Sequence, residues 1–161
     1  MPVNGRAAGT VCRAGLDDAA DLARLRYRWR VDEKGERGGE PEGFAADLRA
    51  WWEGHLGTHL AWLARVDGVA VGMAWLAVVP RVPGPEHFSR VAGNLQSVYV
   101  EPEHRGAGLA SALVTAAVEH ARRAGLGYLS VHPSERSYPV YRRAGFVETG
   151  KVLELGLAEP R

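Results

Sequence analysis

SVYVEPEHRGAGLASALVTAAVEHARRAG, residues 97–125, carries the decision about this chain. Ser97 to Val100 reads as the end of a strand, Pro102 breaks it, and a turn of small residues follows. A helix is predicted from Ala107 to Ala124, with Ala110, Leu113, Val114, Ala117, Val118 and Ala121 on one face. Gly125 supplies its C-terminal stop. The start of a helix presents unpaired N–H groups and partial positive charge, which suits phosphate oxygens. Those groups are reachable only where side chains leave room. Gly106, Ala107, Gly108 and Ala110 leave that room, and Arg105 adds a fixed charge at the mouth.

Three nucleotide-binding designs share this outline. A P-loop needs a Lys-Ser/Thr pair after its last glycine, and Leu109-Ala110 stands there instead. The dinucleotide fingerprint is nearer, because GAGLAS opens as GxG after a strand. Its third small position is Ser111, however, and Pro102 to Arg105 intervene where that fold turns tightly. The region that should carry a ribose-binding acid reads AGLGYLSV.

The third design fits. RGAGLA resembles the Arg/Gln-x-x-Gly-x-Gly/Ala turn of the GNAT superfamily of N-acetyltransferases, where it holds the diphosphate of coenzyme A. SVYVEPEHRG is similar to the strand-Pro-x-x-Arg-Gly entry of that superfamily. YLSVHPS falls where its fifth strand lies, and YPVYRRAGF is similar to its Tyr-x-x-x-Gly-Phe ending. The specific resemblance spans residues 94–148, while residues 1–93 carry no motif and agree in topology alone.

The resemblance implies an α/β (α+β) fold, one domain with a mixed, mostly antiparallel central sheet flanked by helices. It implies acetyl-CoA as cosubstrate. Backbone at Val98, Tyr99 and Val100 would pair with the pantetheine arm like an added strand, and would place an N–H near the thioester oxygen. Arg105, Gly106, Ala107, Gly108, Leu109, Ala110 and Ser111 would hold the cofactor at the turn. Ser134 stands where many relatives use asparagine to contact the cofactor, and its reach is shorter. Tyr141 matches the tyrosine that protonates the departing thiolate, a task suited to a phenol that is neutral at pH 7. Some relatives carry a carboxylate at the position of Gln96, which cannot accept a proton. His132 is then the preferred base, with Glu101 and a base-free route through water as alternatives.

The rest of the chain fits one domain. It has 161 residues, is 46% hydrophobic and carries a net charge of +1, so composition points to no nucleic-acid partner. Cys12, the single cysteine, excludes an internal disulfide and fits a reducing cytosol. No apolar run approaches the length of a membrane span, which makes a cytoplasmic protein the expectation. Residues 1–10 read as a flexible N-terminus and 11–161 as a single N-acetyltransferase domain. The predicted element order is β-α-α-β-β-β-α-β-α-β-β, with a hairpin at Asp67-Gly68 and another in FVETGKVLELGL at the end.

His55, His59 and His87 lack metal-ligand spacing, so no metal is expected. Asp32, Glu33, Glu36, Glu40 and Glu42 read as a solvated acidic loop, and the five tryptophans as mostly core. The expected activity is acetyl transfer to a primary amine by direct attack in a ternary complex, with a small-molecule acceptor preferred over a peptide N-terminus or lysine. A non-catalytic acyl-CoA sensor and a homodimer both stay open.

Overall fold

The computed structural model describes residues 8–158. Most of the expected flexible N-terminus lies outside them, and Thr10 already pairs in the first strand. Five strands lie side by side in chain order: β1 (Thr10–Arg13), β2 (His59–Val66), β3 (Val69–Arg81), β4 (Arg90–Val100) and β5 (Leu129–Val131). β1 to β4 are antiparallel, and β5 joins β4 in parallel. The β2–β3 hairpin turns on Asp67 and Gly68 with φ of 50° and 78°, the pair of left-handed residues that a tight turn between twisted strands requires.

Four helices cover the sheet: α1 (Ala19–Tyr27), α2 (Pro41–Glu53), α3 (Leu109–Arg123) and α4 (Tyr138–Arg143). α1 and α2 bring Leu22, Leu25 and Trp52 onto one face, against Leu63, Met73 and Trp75. α3 and α4 bring Leu113, Val114, Ala117 and Tyr141 onto the other, against Leu76, Leu95 and Val100. Each large aliphatic side chain buried this way contributes about 1.5–3 kcal/mol. The starts of α2 and α3 follow from single residues, and α3 opens two residues after the predicted Ala107. α2 begins at Pro41 because proline has no N–H to leave unpaired at a helix start. α3 begins at Leu109 because Gly108 is left-handed and cannot be helical.

One irregularity in β4 sets the geometry of the site. Met73 pairs with Tyr99 and Trp75 with Gln96, so Ser97 and Val98 stand opposite the single residue Ala74. This is a bulge, and Ser97 takes a φ of 54° to make it. Without it Leu95 and Tyr99 would point the same way. With it Leu95 packs beneath α3 while Tyr99 packs beneath α1.

The second predicted hairpin does not form. Residues 146–158 contain no strand, and Val147, Val152, Leu153, Leu155 and Leu157 are exposed, Leu153 at 98%. A two-stranded ribbon is marginal by itself, and three-residue β5 offers it a short edge. Among the described residues, no helix is long and apolar enough to cross a membrane.

Candidate active site

β4 and β5 pair only from Gly93 to Leu95 with Leu129 to Val131, and then part. The Glu101 N–H donates to the Val71 carbonyl at 2.9 Å, on the β3 side. Strand alternation therefore turns the backbone of Val98 and Val100 the other way, into the gap that β5 leaves. The Val100 carbonyl accepts from Arg105 Nε there, at 2.9 Å.

A cleft of about 890 Å³ opens at this gap. Val98, Tyr99 and Val100 form one wall, and Arg105, Gly106, Gly108, Leu109, Ala110 and Ser111 form its end. Ser134 lines the opposite side, with Arg136, Val140 and Arg143. The sequence therefore names most of this lining, from residues spread over three elements. Ala107 is the one turn residue outside it. Lys34, Arg105, Arg136 and Arg143 together give the cleft a cationic rim. A smaller hollow of about 390 Å³, among Val118, Leu126, Leu129 and Phe146, contains none of the predicted site residues.

The turn is built for a ligand that needs backbone. Gly108 has a φ of 80°, and a Cβ placed on it would meet no atom within 4 Å. Glycine is needed there for the left-handed conformation, and its missing side chain leaves the N–H groups at the start of α3 open to the cleft.

Tyr141 is only 6% exposed and is absent from the cleft lining. Its ring packs edge-on against Phe146, and burial pushes its pKa up to about 12. The phenol is therefore protonated at neutral pH and able to donate. The two predicted bases are placed differently from expectation. His132 is well exposed, pairs with Glu154 at 3.2 Å, and is not part of the cleft lining. Glu101 is buried, and its carboxylate accepts from Arg24 at 2.7 Å and lies 3.0 Å from Arg28. Those contacts, both to Oε1, tie the end of β4 to Arg24 in α1 and to Arg28 just beyond it. Glu101, Glu103 and His104 do converge, their ligand atoms lying within 4.8 Å of one another. The charge of the two carboxylates is met by Arg24 and Arg28.

Glu33 is a correction to the solvated-loop expectation. α1 does not stop at the loop: it widens into a π turn, Arg28–Glu33, that reaches over the cleft. Trp29 stacks on Tyr99 with ring centroids 5.7 Å apart. Glu33 accepts from the Tyr99 hydroxyl at 2.5 Å and from Arg105 at 3.2 Å. The signal that could have found it was helical spacing, since Leu22, Leu25, Trp29 and Glu33 continue one face past the apparent helix end.

The comparisons agree with this geometry. The profile of the Acetyltransferase (GNAT) family matches residues 21–146. A glucosamine 6-phosphate N-acetyltransferase from Trypanosoma brucei brucei is 33% identical over 90 residues, covering 56% of this chain and 59% of that protein. A mycothiol acetyltransferase from Saccharomonospora viridis is 36% identical over 89 residues, covering 52% of this chain and 28% of that protein. Both matches thus span less than two thirds of the relative. A predicted acetyltransferase from Clostridium acetobutylicum, solved with acetyl-CoA, superposes with a TM-score of 0.76 at 24% identity, over 93% of this chain and 97% of that one. That likeness establishes the fold. With the family profile covering most of its length and the turn, gap and sheet order all in place, this chain belongs to the GNAT family of acetyltransferases.

Proposed function

We propose that this chain is an N-acetyltransferase that moves the acetyl group of acetyl-CoA to a primary amine of a small molecule. The observation that carries the reading is the meeting, in one cleft, of an open helix start at Gly108 with backbone at Val98 and Val100 that faces no neighbouring strand. The first suits a diphosphate and the second suits an amide-bearing chain. Bound acetyl-CoA supplies the activated acetyl thioester. The residues do the rest. Arg105 and the turn amides hold phosphate charge, while the Val98 backbone fixes the reacting end and offers an N–H to its carbonyl oxygen. Tyr141 supplies the proton that the leaving sulfur needs.

Water is favoured over His132 for removing the amine proton, because His132 is well exposed and tied to Glu154. Direct attack is favoured over a cysteine relay, because Cys12 is in β1, at the sheet edge opposite β5. Support for a small acceptor comes from a relative named for glucosamine 6-phosphate.

The test is a screen of mixed amines that follows free thiol released from acetyl-CoA, run beside thermal melting. Saturation at about a hundred times Kd should add about 2.7 kcal/mol of stability. Thiol release that depends on an amine supports the reading. A melting temperature unmoved by millimolar acetyl-CoA overturns it, and binding without turnover on any amine would make the chain a sensor.

A further inference from the structure

Three side chains of the α1 helix and its π turn follow one another along β4. Arg26, Trp29 and Glu33 are spaced by three and four residues, so they share a helix face. They meet Ser97, Tyr99 and Arg105 in the same order. Glu33 and Arg105 answer each other's charge. Arg26 has no such answer.

Its guanidinium donates to Ser97 Oγ, a neutral partner. Among the described residues, no carboxylate lies within ion-pair distance of it, whereas Arg24, Arg28, Arg30, Arg65 and Arg105 all have one. Glu36 acts on Arg26 from further away and is itself bonded to Arg30. Burial is the largest influence on Arg26, and it disfavours the charged form. Arginine keeps its charge even so, which leaves a half-buried cation incompletely compensated.

A second donor is unsatisfied nearby. Trp75 is 5% exposed and its Nε1–H has no acceptor among the described residues. It lies on the α1 face of the sheet and pairs with Gln96, the neighbour of Ser97. Beside the bulge, then, one guanidinium lacks a carboxylate and one buried N–H lacks an acceptor. Ser97 precedes the cleft-lining Val98 by one residue, so this region borders the end of the cleft, although Arg26, Ser97 and Trp75 are themselves outside its lining.

We propose that Arg26, with Ser97 and Trp75 beside it, forms a subsite for an anionic group, carboxylate or phosphate, carried by the acceptor amine. The acceptor is then an acidic or zwitterionic amine. The inference rests on the N-acetyltransferase reading, and its test is arranged so that the two fail separately.

Two matched pairs of amines serve: glucosamine 6-phosphate against glucosamine, and 4-aminobutyrate against butylamine. At least one anionic member should be preferred, by about tenfold to a hundredfold in kcat/KM, as a charged hydrogen bond implies. Arg26→Gln should remove that preference by raising KM for the acid-bearing amine and leaving its acid-free partner unchanged. Arg26→Lys should keep part of it. The phosphate and carboxylate arms tell which anion the subsite takes. Equal or better use of the acid-free member in both pairs overturns the proposal. So does an Arg26→Gln loss of kcat shared by all amines, which would put Arg26 at the reacting carbonyl. If Arg26→Gln does not fold, the wild-type preferences and Arg26→Lys decide. Calorimetry of glucosamine 6-phosphate and 4-aminobutyrate on CoA-saturated protein separates the two readings. Arg26-dependent binding without turnover keeps the subsite and removes the acetyltransferase assignment, and turnover without anionic preference does the reverse.

Discussion

The Glu33 carboxylate meets the Arg105 guanidinium at 3.2 Å although 72 residues separate them. Burial works against the charge on Glu33, but the Tyr99 hydroxyl and Arg105 hold its carboxyl below the ordinary carboxylate range. Burial and Glu33 in turn push the Tyr99 phenol upward. Under the proposed function Arg105 serves the diphosphate, so Glu33 would compete with the cofactor for it. Glu33→Gln should therefore tighten coenzyme A binding by about two- to fivefold, the worth of a partly exposed ion pair. Calorimetric titration with coenzyme A checks this. Weaker binding would mean that Glu33 positions Arg105 instead of competing for it.

Gly108→Val tests the turn. The added Cβ meets no protein atom within 4 Å, but it projects from a backbone at φ 80° in the cleft wall. The left-handed strain should destabilise the fold by about 1–2 kcal/mol. The larger effect should be on ligand: coenzyme A binding should fall by more than tenfold, since bulk separates phosphate from the helix N–H groups. A variant that melts slightly lower yet binds coenzyme A normally would make the turn an ordinary loop.

Tyr141→Phe removes one hydroxyl from a buried ring and leaves its packing on Phe146 in place. Melting temperature and cofactor affinity should change little. Turnover should fall by roughly 10²-fold, the lower range for a general acid, and mainly in kcat. Wild-type turnover in this variant, with chemistry shown to limit the rate, would assign the proton to water.

Two histidines make stability depend on pH. His120 stands edge-on to Trp62, and its pKa is lowered first by burial and then by Arg13 and Arg123. His59 is lowered by burial and then by His55. Folding thus favours the neutral rings. As pH falls through the ordinary value of 6.5, the unfolded chain takes up protons before the folded one does. Stability should be full above that value and decline below it. Melting curves from about pH 8 to about pH 5 should show the decline, and His120→Asn should flatten it. A flat wild-type profile over that range would contradict the shifts.

What the sequence discloses follows from how local each feature is. The Asp67-Gly68 hairpin and the Gly108 turn are written in adjacent residues whose conformational needs few others meet. The cleft lining from Val98 to Ser111 is legible for that reason. Glu33 and Arg26 are not, because their partners lie far along the chain and the π turn that carries Glu33 resembles a charged loop. The β4 bulge is equally hidden, since nothing in LQSVYV marks Ser97 as left-handed. His132 is harder to place from sequence for a related reason: its strand end is legible, but its side chain lies outside the cleft lining and meets Glu154. The C-terminal hairpin is the opposite case, where KVLELGL alternates well enough for a strand and finds no edge to pair with.

The early parting of β4 and β5 leaves amides that behave unlike their neighbours. Tyr99 and Glu101 direct their N–H groups to β3, whereas those of Val98 and Val100 face the open gap. In the free protein the second pair should exchange with deuterium quickly, although they sit within a strand at the middle of the molecule. Binding of coenzyme A should slow those amides and leave Tyr99 and Glu101 as they were. The sheet thereby carries its own record of occupancy, read one residue at a time along a single strand.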